Sequence, residues 1–156
     1  MRLIIESSAL EDIFVECSRH DADETGGRLL GVHDANIARA VLQIGPGPNA
    51  RRTPTSFFQD GEWQEKEFRM VERRIRNIQH LGNWHTHHVN GLQTLSAGDV
   101  ATYERTVNHP SHAINIFVAL LVTRRLDFGR YTWRAFLFRR GVPGFSDMEA
   151  VEYLGT

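Results

Sequence analysis

Apolar residues along the chain follow two different spacings, which predict both helices and strands. In residues 7–20 the apolar side chains recur every three to four positions, so we predict a first helix whose buried face includes Cys17. Ser7 or Ser8 is the expected N-terminal cap of this helix, because a serine oxygen can accept from a free main-chain N–H. A first strand is predicted over residues 1–6.

The helical spacing returns at two later points in the chain. Residues 62–79 are predicted as the longest helix, with an apolar stripe that continues as far as Ile75 and Ile78. Residues 100–107 are predicted as a shorter helix. Pro110 stops it, because the residue before a proline avoids helical backbone.

Strand-like segments lie between these helices. The segment 114–122 is apolar at successive positions, as expected for a central strand that is buried on both faces. A turn near residues 127–129 is expected to pair it with 131–138 as a hairpin. Further strands are predicted directly after Gly26-Gly27, over residues 37–44 and over residues 81–84.

The two remaining segments are less regular. Residues 45–52 form a loop by composition, in which Asn49, Arg51 and Arg52 could guide a peptide, although a plain turn is the simpler interpretation. Residues 145–156 are expected to form a short helix or an ordered tail. All these elements together predict a single mixed α/β domain over residues 1–156, a sheet with flanking helices.

Composition narrows the class of protein. With 156 residues and 41% hydrophobic content, the chain can bury one core, and it is too short for a TIM barrel. A formal net charge of −1 predicts no strong field for nucleic acid or membranes. The single cysteine, Cys17, excludes a disulfide framework and a cysteine-ligated zinc site. Without a signal peptide or a long apolar run, the expected location is the cytoplasm.

Candidate chemistry is concentrated between Trp84 and Asp99. In an extended strand His85 and His87 point to one face, so both can reach one ion, while His88 points away to the surface or to a substrate. Asp99, just ahead of the predicted helix 100–107, can add a carboxylate oxygen. Two imidazoles and one carboxylate suit Zn²⁺ and leave a fourth position for a water.

These residues, together with an upstream carboxylate, resemble a known signature. Glu24 before Gly-Gly-Arg-Leu-Leu-Gly, the His-Thr-His sequence at 85–87, and Ser96-x-x-Asp99 occur in the order found in JAMM/MPN+ zinc metallopeptidases. The resemblance spans residues 24–122 and implies the cytidine deaminase-like fold of MPN domains. It also implies that Glu24 is the general base and that Ser96 donates a hydrogen bond to the oxyanion.

The sequence departs from that signature at two points. The spacer between His87 and Ser96 holds eight residues instead of seven, a change that costs little because loop closure depends weakly on length. His88 stands where many relatives have proline. The Gly-Pro-Gly-Pro-Asn-Ala sequence at 45–50 is similar to a segment of the bacterial branch of the family.

The resemblance also implies a function. We expect a zinc-dependent isopeptidase or peptidase that removes or matures a ubiquitin-like protein in a bacterial conjugation pathway, alongside activating and conjugating enzymes. Two alternatives stay open, a peptidase acting on a sulfur-carrier protein or small peptides, and a non-catalytic MPN scaffold. Other histidine-based zinc sites fit less well; a zincin, for example, needs His-Glu-x-x-His, which the chain lacks.

Overall fold

The computed structural model describes residues 1–88 and 91–155. Nine strands and three helices occur along these residues. The strands are β1 (Arg2–Glu6), β2 (Gly26–His33), β3 (Ile37–Ile44), β4 (Arg51–Arg52), β5 (Phe57–Phe58), β6 (Gln79–Thr86), β7 (Ile116–Arg125), β8 (Tyr131–Arg139) and β9 (Ser146–Tyr153). The helices are α1 (Ser7–Ser18), α2 (Gly61–Arg74) and α3 (Ala97–Asn108), and a single 3₁₀ turn spans Asp127–Gly129.

Seven of the described strands close into a barrel in the order β1-β3-β2-β6-β7-β8-β9. The closure is made by β9, which runs parallel to β1, with Arg2 opposite Glu149 and Glu6 opposite Tyr153. Strands β6 and β7 are also parallel, whereas β2 is antiparallel to both β3 and β6. The fold is therefore mixed α/β, as predicted, with a closed sheet; β4 and β5 form a separate hairpin.

Strand β7 divides the core between two sides of the sheet. Its side chains alternate, so that Val118, Leu120 and Val122 join the cluster beneath α1. The alternate residues Phe117, Ala119 and Leu121 join the cluster beneath α3. Residues 116–123 are all buried, which explains the continuous apolar run and confirms the predicted central strand and its hairpin with β8.

The first helix has the predicted buried face but not the predicted cap. Cys17 is fully buried, and burial raises the pKa of its thiol well above the usual value, so it acts as a core residue. The N-cap position is Glu6, which makes no side-chain capping bond. Strand β1 runs directly into the helix, so Ser7 already lies in the first turn and its hydroxyl contacts Glu152 at 2.8 Å.

The predicted helix over residues 62–79 is too long at its C-terminal end. Helix α2 ends at Arg74, the backbone of Ile75 is extended, and Asn77 adopts a left-handed conformation with φ of 63°. The chain turns there and continues into β6. Ile78 is still buried beside Phe68, but it reaches the core from the start of a strand, so helical spacing alone could not reveal the helix end.

The last segment forms a strand, so of the two expectations the short helix is wrong and the ordered tail holds. Residues 145–156 contain β9, whose partners are β8 and β1. Within it Met148 is buried, while Asp147 and Glu149 are exposed. The partner strands come from distant parts of the chain, and their edges are not visible in the local sequence. No helix among residues 1–88 and 91–155 has the length and apolarity that crossing a membrane requires.

Candidate metal centre

The end of strand β6 positions two histidines, His85 within the strand and His87 directly after its last residue, Thr86. His85 and His87 are both nearly buried, and their rings meet edge to face with centroids 4.8 Å apart. Between them, Thr86 turns to the opposite side and its hydroxyl accepts a hydrogen bond from the main-chain N–H of Thr25 at 3.0 Å. The alternation that the sequence predicted for the two imidazoles is therefore present.

The glycine pair that follows Glu24 allows β2 to approach β6 closely. Gly26 lies opposite His85 and Gly27 lies opposite Trp84. A Cβ atom at Gly26 would lie 2.5 Å from the Trp84 carbonyl oxygen, and one at Gly27 would lie 2.1 Å from the Ile44 carbonyl oxygen. Only glycine fits at these two positions.

Asp99 brings the third ligand atom from the first turn of α3. Ser96 and Asp99 form a capping box, in which the main-chain N–H of Asp99 donates to Ser96 Oγ at 3.0 Å and the N–H of Ser96 donates to Asp99 Oδ2 at 2.9 Å. Helix α3 consequently begins at Ala97, ahead of the predicted residue 100. The same Oδ2 lies 3.1 Å from His85 Nε2 and 3.3 Å from His87 Nε2.

These three groups fit a divalent metal ion. One ligand atom from each of His85, His87 and Asp99 lies within 4.8 Å of the other two. Ligand atoms about 2.0–2.1 Å from a tetrahedral zinc are themselves separated by about 3.3 Å, which matches both carboxylate-to-imidazole distances. The donor set of two nitrogens and one oxygen suits Zn²⁺ and other imidazole-binding metals.

Tyr103 fixes the orientation of one imidazole. Its hydroxyl lies 3.0 Å from His85 Nδ1. With the proton on Nδ1, the imidazole donates to this oxygen, and Nε2, which otherwise donates to Asp99 Oδ2, is free for a metal. The tyrosine ring is itself held by Phe117, with centroids 5.0 Å apart. The sequence analysis missed this residue, although its position four residues after Asp99 places the two on one helix face.

The electrostatic environment favours an ionised Asp99. Burial opposes ionisation, but hydrogen bonds from His85, His87 and the Ser96 main chain outweigh it and hold the pKa of Asp99 well below its usual range. Asp99 is therefore a carboxylate at neutral pH. A negatively charged oxygen close to two imidazoles suits a divalent cation.

Glu24 lies beside the metal ligands, two residues before Gly26. Its main-chain N–H donates to the Thr53 carbonyl at 3.0 Å, and its side chain is half-buried. Burial raises the pKa of this carboxyl above its usual value, and the nearby imidazoles of His87 and His85 offset part of that effect. A carboxylate with a raised pKa is a stronger base, so Glu24 is a better proton acceptor than an ordinary glutamate.

A cavity of about 380 Å³ is lined by four of the five predicted site residues, all except the buried His87. Glu24, His85, Ser96 and Asp99 line it. Residues 55–59, which include β5, form the facing wall, and Asn83 and Tyr103 also contribute. The Ser96 hydroxyl accepts from the Asp99 N–H and keeps its own proton for a ligand. Residues 55–59, Asn83 and Tyr103 belong to no motif, and the sequence analysis did not predict them as site residues.

The loop over residues 45–52 is held against its surroundings. Arg52, one of the residues considered for peptide guidance, donates to Thr25 Oγ1 at 3.3 Å and lies 3.6 Å from a Glu16 oxygen. The main-chain N–H of Asn49 donates to Asp60, the residue that caps α2. Arg51 remains exposed. The ordered turn is the interpretation that these contacts favour.

His88 has a different place from the one expected at the surface or against a substrate. Its Nε2 donates to the His20 carbonyl oxygen at 2.8 Å, and its half-buried ring packs near Tyr131. The residue that replaces proline in the resemblance therefore joins the end of α1 to the end of β6. Val89 and Asn90, the next residues of the spacer, lie outside the described residues.

Known proteins give a partial match to this chain. No protein-family model matches it. A curated relative, "Probable metalloprotease y4qB" of Sinorhizobium fredii (strain NBRC 101917 / NGR234), is 36% identical over 85 residues, which make up 53% of this chain. The chain spans about half the length of that relative, 52%.

Among solved structures, the solution structure of protein DSY2949 from Desulfitobacterium hafniense is similar to this fold. The match has a TM-score of 0.70 and covers 98% of this chain and 94% of that chain. Sequence identity is 16%, so the likeness concerns the fold alone.

Proposed function

We propose that this chain is a zinc metallopeptidase of the JAMM type, which removes or matures a ubiquitin-like protein in a bacterial conjugation pathway. The observation that carries the proposal is the convergence of His85, His87 and Asp99 on one point beside Glu24. The relative named a probable metalloprotease supports the peptidase class. The ubiquitin-like substrate is supported by the motif resemblance.

Three residues would hold the metal. His85 and His87 supply neutral imidazoles and Asp99 supplies the carboxylate, while Tyr103 keeps His85 in the tautomer that ligation needs. A zinc ion in such a site supplies a Lewis acid that lowers the pKa of water toward neutrality. With three protein ligands, one position remains for water or for the substrate carbonyl.

Glu24 and Ser96 would act on the substrate, Glu24 by transferring a proton and Ser96 by stabilising the developing negative charge. Glu24 accepts a proton from the attacking water and passes it to the leaving amine, as a carboxylate with a raised pKa can do. Ser96 donates its hydroxyl proton to the oxygen on which negative charge develops. Both side chains line the cavity that contains His85 and Asp99, where the hydrolysis of an amide bond would need them.

The metal is tested first, by elemental analysis of the purified protein and of a His85→Ala/His87→Ala variant. We expect about one zinc per chain in the wild-type protein, held by His85, His87 and Asp99, and none in the variant. A wild-type protein that takes up no zinc would overturn the metallopeptidase proposal.

The chemistry and the substrate are tested separately. Glu24→Gln should retain zinc and lose activity by about 100-fold or more, because it removes the proton acceptor and leaves the ligands in place. The test substrate is the cognate ubiquitin-fold protein with a reporter fused after its C-terminal tail. No zinc-dependent cleavage at that junction would reject the ubiquitin-like substrate, even if the protein binds zinc.

A further inference from the structure

Asn83 is a polar residue of the cavity that the proposed mechanism does not use. It lies two residues before His85 on β6, so both side chains are on the same face of the strand. It lines the cavity with Glu24, Ser96 and Asp99, and it is half-buried. At a rise of about 3.3 Å per residue, it stands roughly 7 Å along the strand from His85.

His80, three residues before Asn83 on β6, sets the orientation of this amide. His80 Nε2 lies 3.0 Å from Asn83 Oδ1, and because a carbonyl oxygen can only accept, the imidazole donates. The His80 ring is confined by Phe68 and Phe117, with centroids 6.4 and 6.1 Å away. Desolvation by these neighbours lowers the pKa of His80 to about 4, so the ring is neutral at physiological pH.

The other end of the Asn83 amide has hydrogen atoms to donate. With Oδ1 bound to His80, the Nδ2 group faces away from that histidine, and it makes no hydrogen bond to any residue in 1–88 or 91–155. It is also not a buried atom. An oriented donor with free hydrogens, on the wall of a cavity that contains metal ligands, is suited to an acceptor on a ligand.

We propose that Asn83 Nδ2 donates a hydrogen bond to a main-chain carbonyl of the substrate, about two residues from the bond that is cut, with His80 as its positioning residue. This inference rests on the proposed peptidase function. An extended substrate that follows β6 has the same rise per residue as the strand, so the spacing between Asn83 and His85 selects a carbonyl about two residues away. Such a contact recognises a peptide backbone whatever the side chains are.

The contact is tested with steady-state kinetics on the reporter fusion that the wild-type protein cleaves. Asn83→Ala should raise KM about tenfold, the effect of one lost hydrogen bond, and leave kcat nearly unchanged because the contact exists in the bound substrate as well as the transition state. Its zinc content should remain at the wild-type level. Asn36→Ala, in the exposed turn between β2 and β3, is the matched control and should keep the wild-type KM.

A purely structural role for Asn83 predicts a different pattern. Asn83→Ala leaves the His80 donor without its partner, which lowers the unfolding temperature whether or not substrate contacts Asn83. In the double variant His80→Leu/Asn83→Ala that donor is gone, so the unfolding temperature should recover. We expect KM to remain about tenfold raised in the double variant. A KM that recovers together with the stability would overturn the proposed contact.

The role of His80 is tested by two single variants. His80→Leu should raise KM in the same direction as Asn83→Ala, since the amide is no longer oriented, and His80→Gln should bring KM back toward the wild-type value because glutamine retains a donor. An Asn83→Ala variant with unchanged KM would reject this inference and leave the peptidase in place. A zinc-loaded wild-type protein that cleaves no fusion would reject the ubiquitin-like substrate of the proposed function, and with it the contact between Asn83 and that substrate.

Discussion

His88 Nε2 donates to the carbonyl oxygen of His20 at 2.8 Å, and this bond joins the residue after the metal-binding pair to the end of α1. The position of His87 is thereby supported from both sides of the chain, by the strand before it and by this bond after it. A proline at residue 88 could not make the same contact, because it has no side-chain donor.

Replacing His88 should therefore affect stability more than metal content. His88→Phe keeps a ring against Tyr131 but leaves the His20 carbonyl without its donor, so we expect the free energy of unfolding to fall by about 1–2 kcal/mol. Urea denaturation measures this change. His20→Ala is the control, because it keeps the main-chain carbonyl oxygen that accepts the hydrogen bond from His88. Loss of zinc in His88→Phe, without loss of stability, would instead indicate that His88 is a ligand.

Removing the Tyr103 hydroxyl should weaken the metal site and leave the fold intact. In Tyr103→Phe the ring still packs against Phe117, but His85 Nδ1 has lost its partner, so zinc affinity should fall about 10-fold to 100-fold. Competition with a chromophoric chelator measures the affinity. Tyr131→Phe removes a hydroxyl that contacts Ser18 and should bind zinc like the wild-type protein. Equal affinities in both variants would contradict the role given to Tyr103.

Gly82 is expected to tolerate no side chain. A Cβ atom there would lie 1.8 Å from the Val118 carbonyl oxygen, at the point where β6 and β7 run side by side. Gly82→Ala should consequently lower the free energy of unfolding by about 3 kcal/mol or more, since a main-chain atom must move. Gly61→Ala has open space around the new methyl group and should be close to neutral. Chemical denaturation of both variants checks the contrast.

The neutral His80 should make stability depend on pH. Its folded-state pKa of about 4 lies below the ordinary histidine value of 6.5, so between these two values the unfolded chain binds more protons than the folded protein. The free energy of unfolding is therefore not reduced by this histidine above pH 6.5. As the pH falls from 6.5 toward 4, the free energy of unfolding decreases by up to about 1.4 kcal/mol per pH unit. Urea denaturation across this range should show a flatter dependence in His80→Gln. Equal slopes would show that His80 is not the group responsible.

Local patterns were sufficient to predict most of the elements. The strand over residues 37–44 has the predicted bounds, and the buried face of α1 and the β7–β8 hairpin are confirmed. The errors lie where distant residues decide the structure. Helix α2 ends early because the chain turns at Asn77, and β9 is a strand because β1 and β8 offer it two edges.

The candidate site shows the same division. His85, His87 and Asp99 could be chosen from their spacing, because strand alternation and a helix start suffice to bring them together. The sequence could not reveal the roles of Tyr103, Asn83 and His80 in the same way. Each of them contributes through a hydrogen bond to another residue and belongs to no motif. The Ser96 and Asp99 pair was predicted for catalysis and metal binding, and its second use as a capping box was not.

That shared use restricts how the metal site can be redesigned. Asp99 Oδ2 faces both imidazoles and also accepts the main-chain N–H of Ser96 that begins α3. An Asp99→His exchange, meant to select a different metal, would remove the acceptor that holds the helix start. An engineered site of that kind would have to supply a new acceptor for the Ser96 N–H, for example from the loop that precedes it. Any substitution at Asp99 therefore changes both the metal preference of the site and the start of α3.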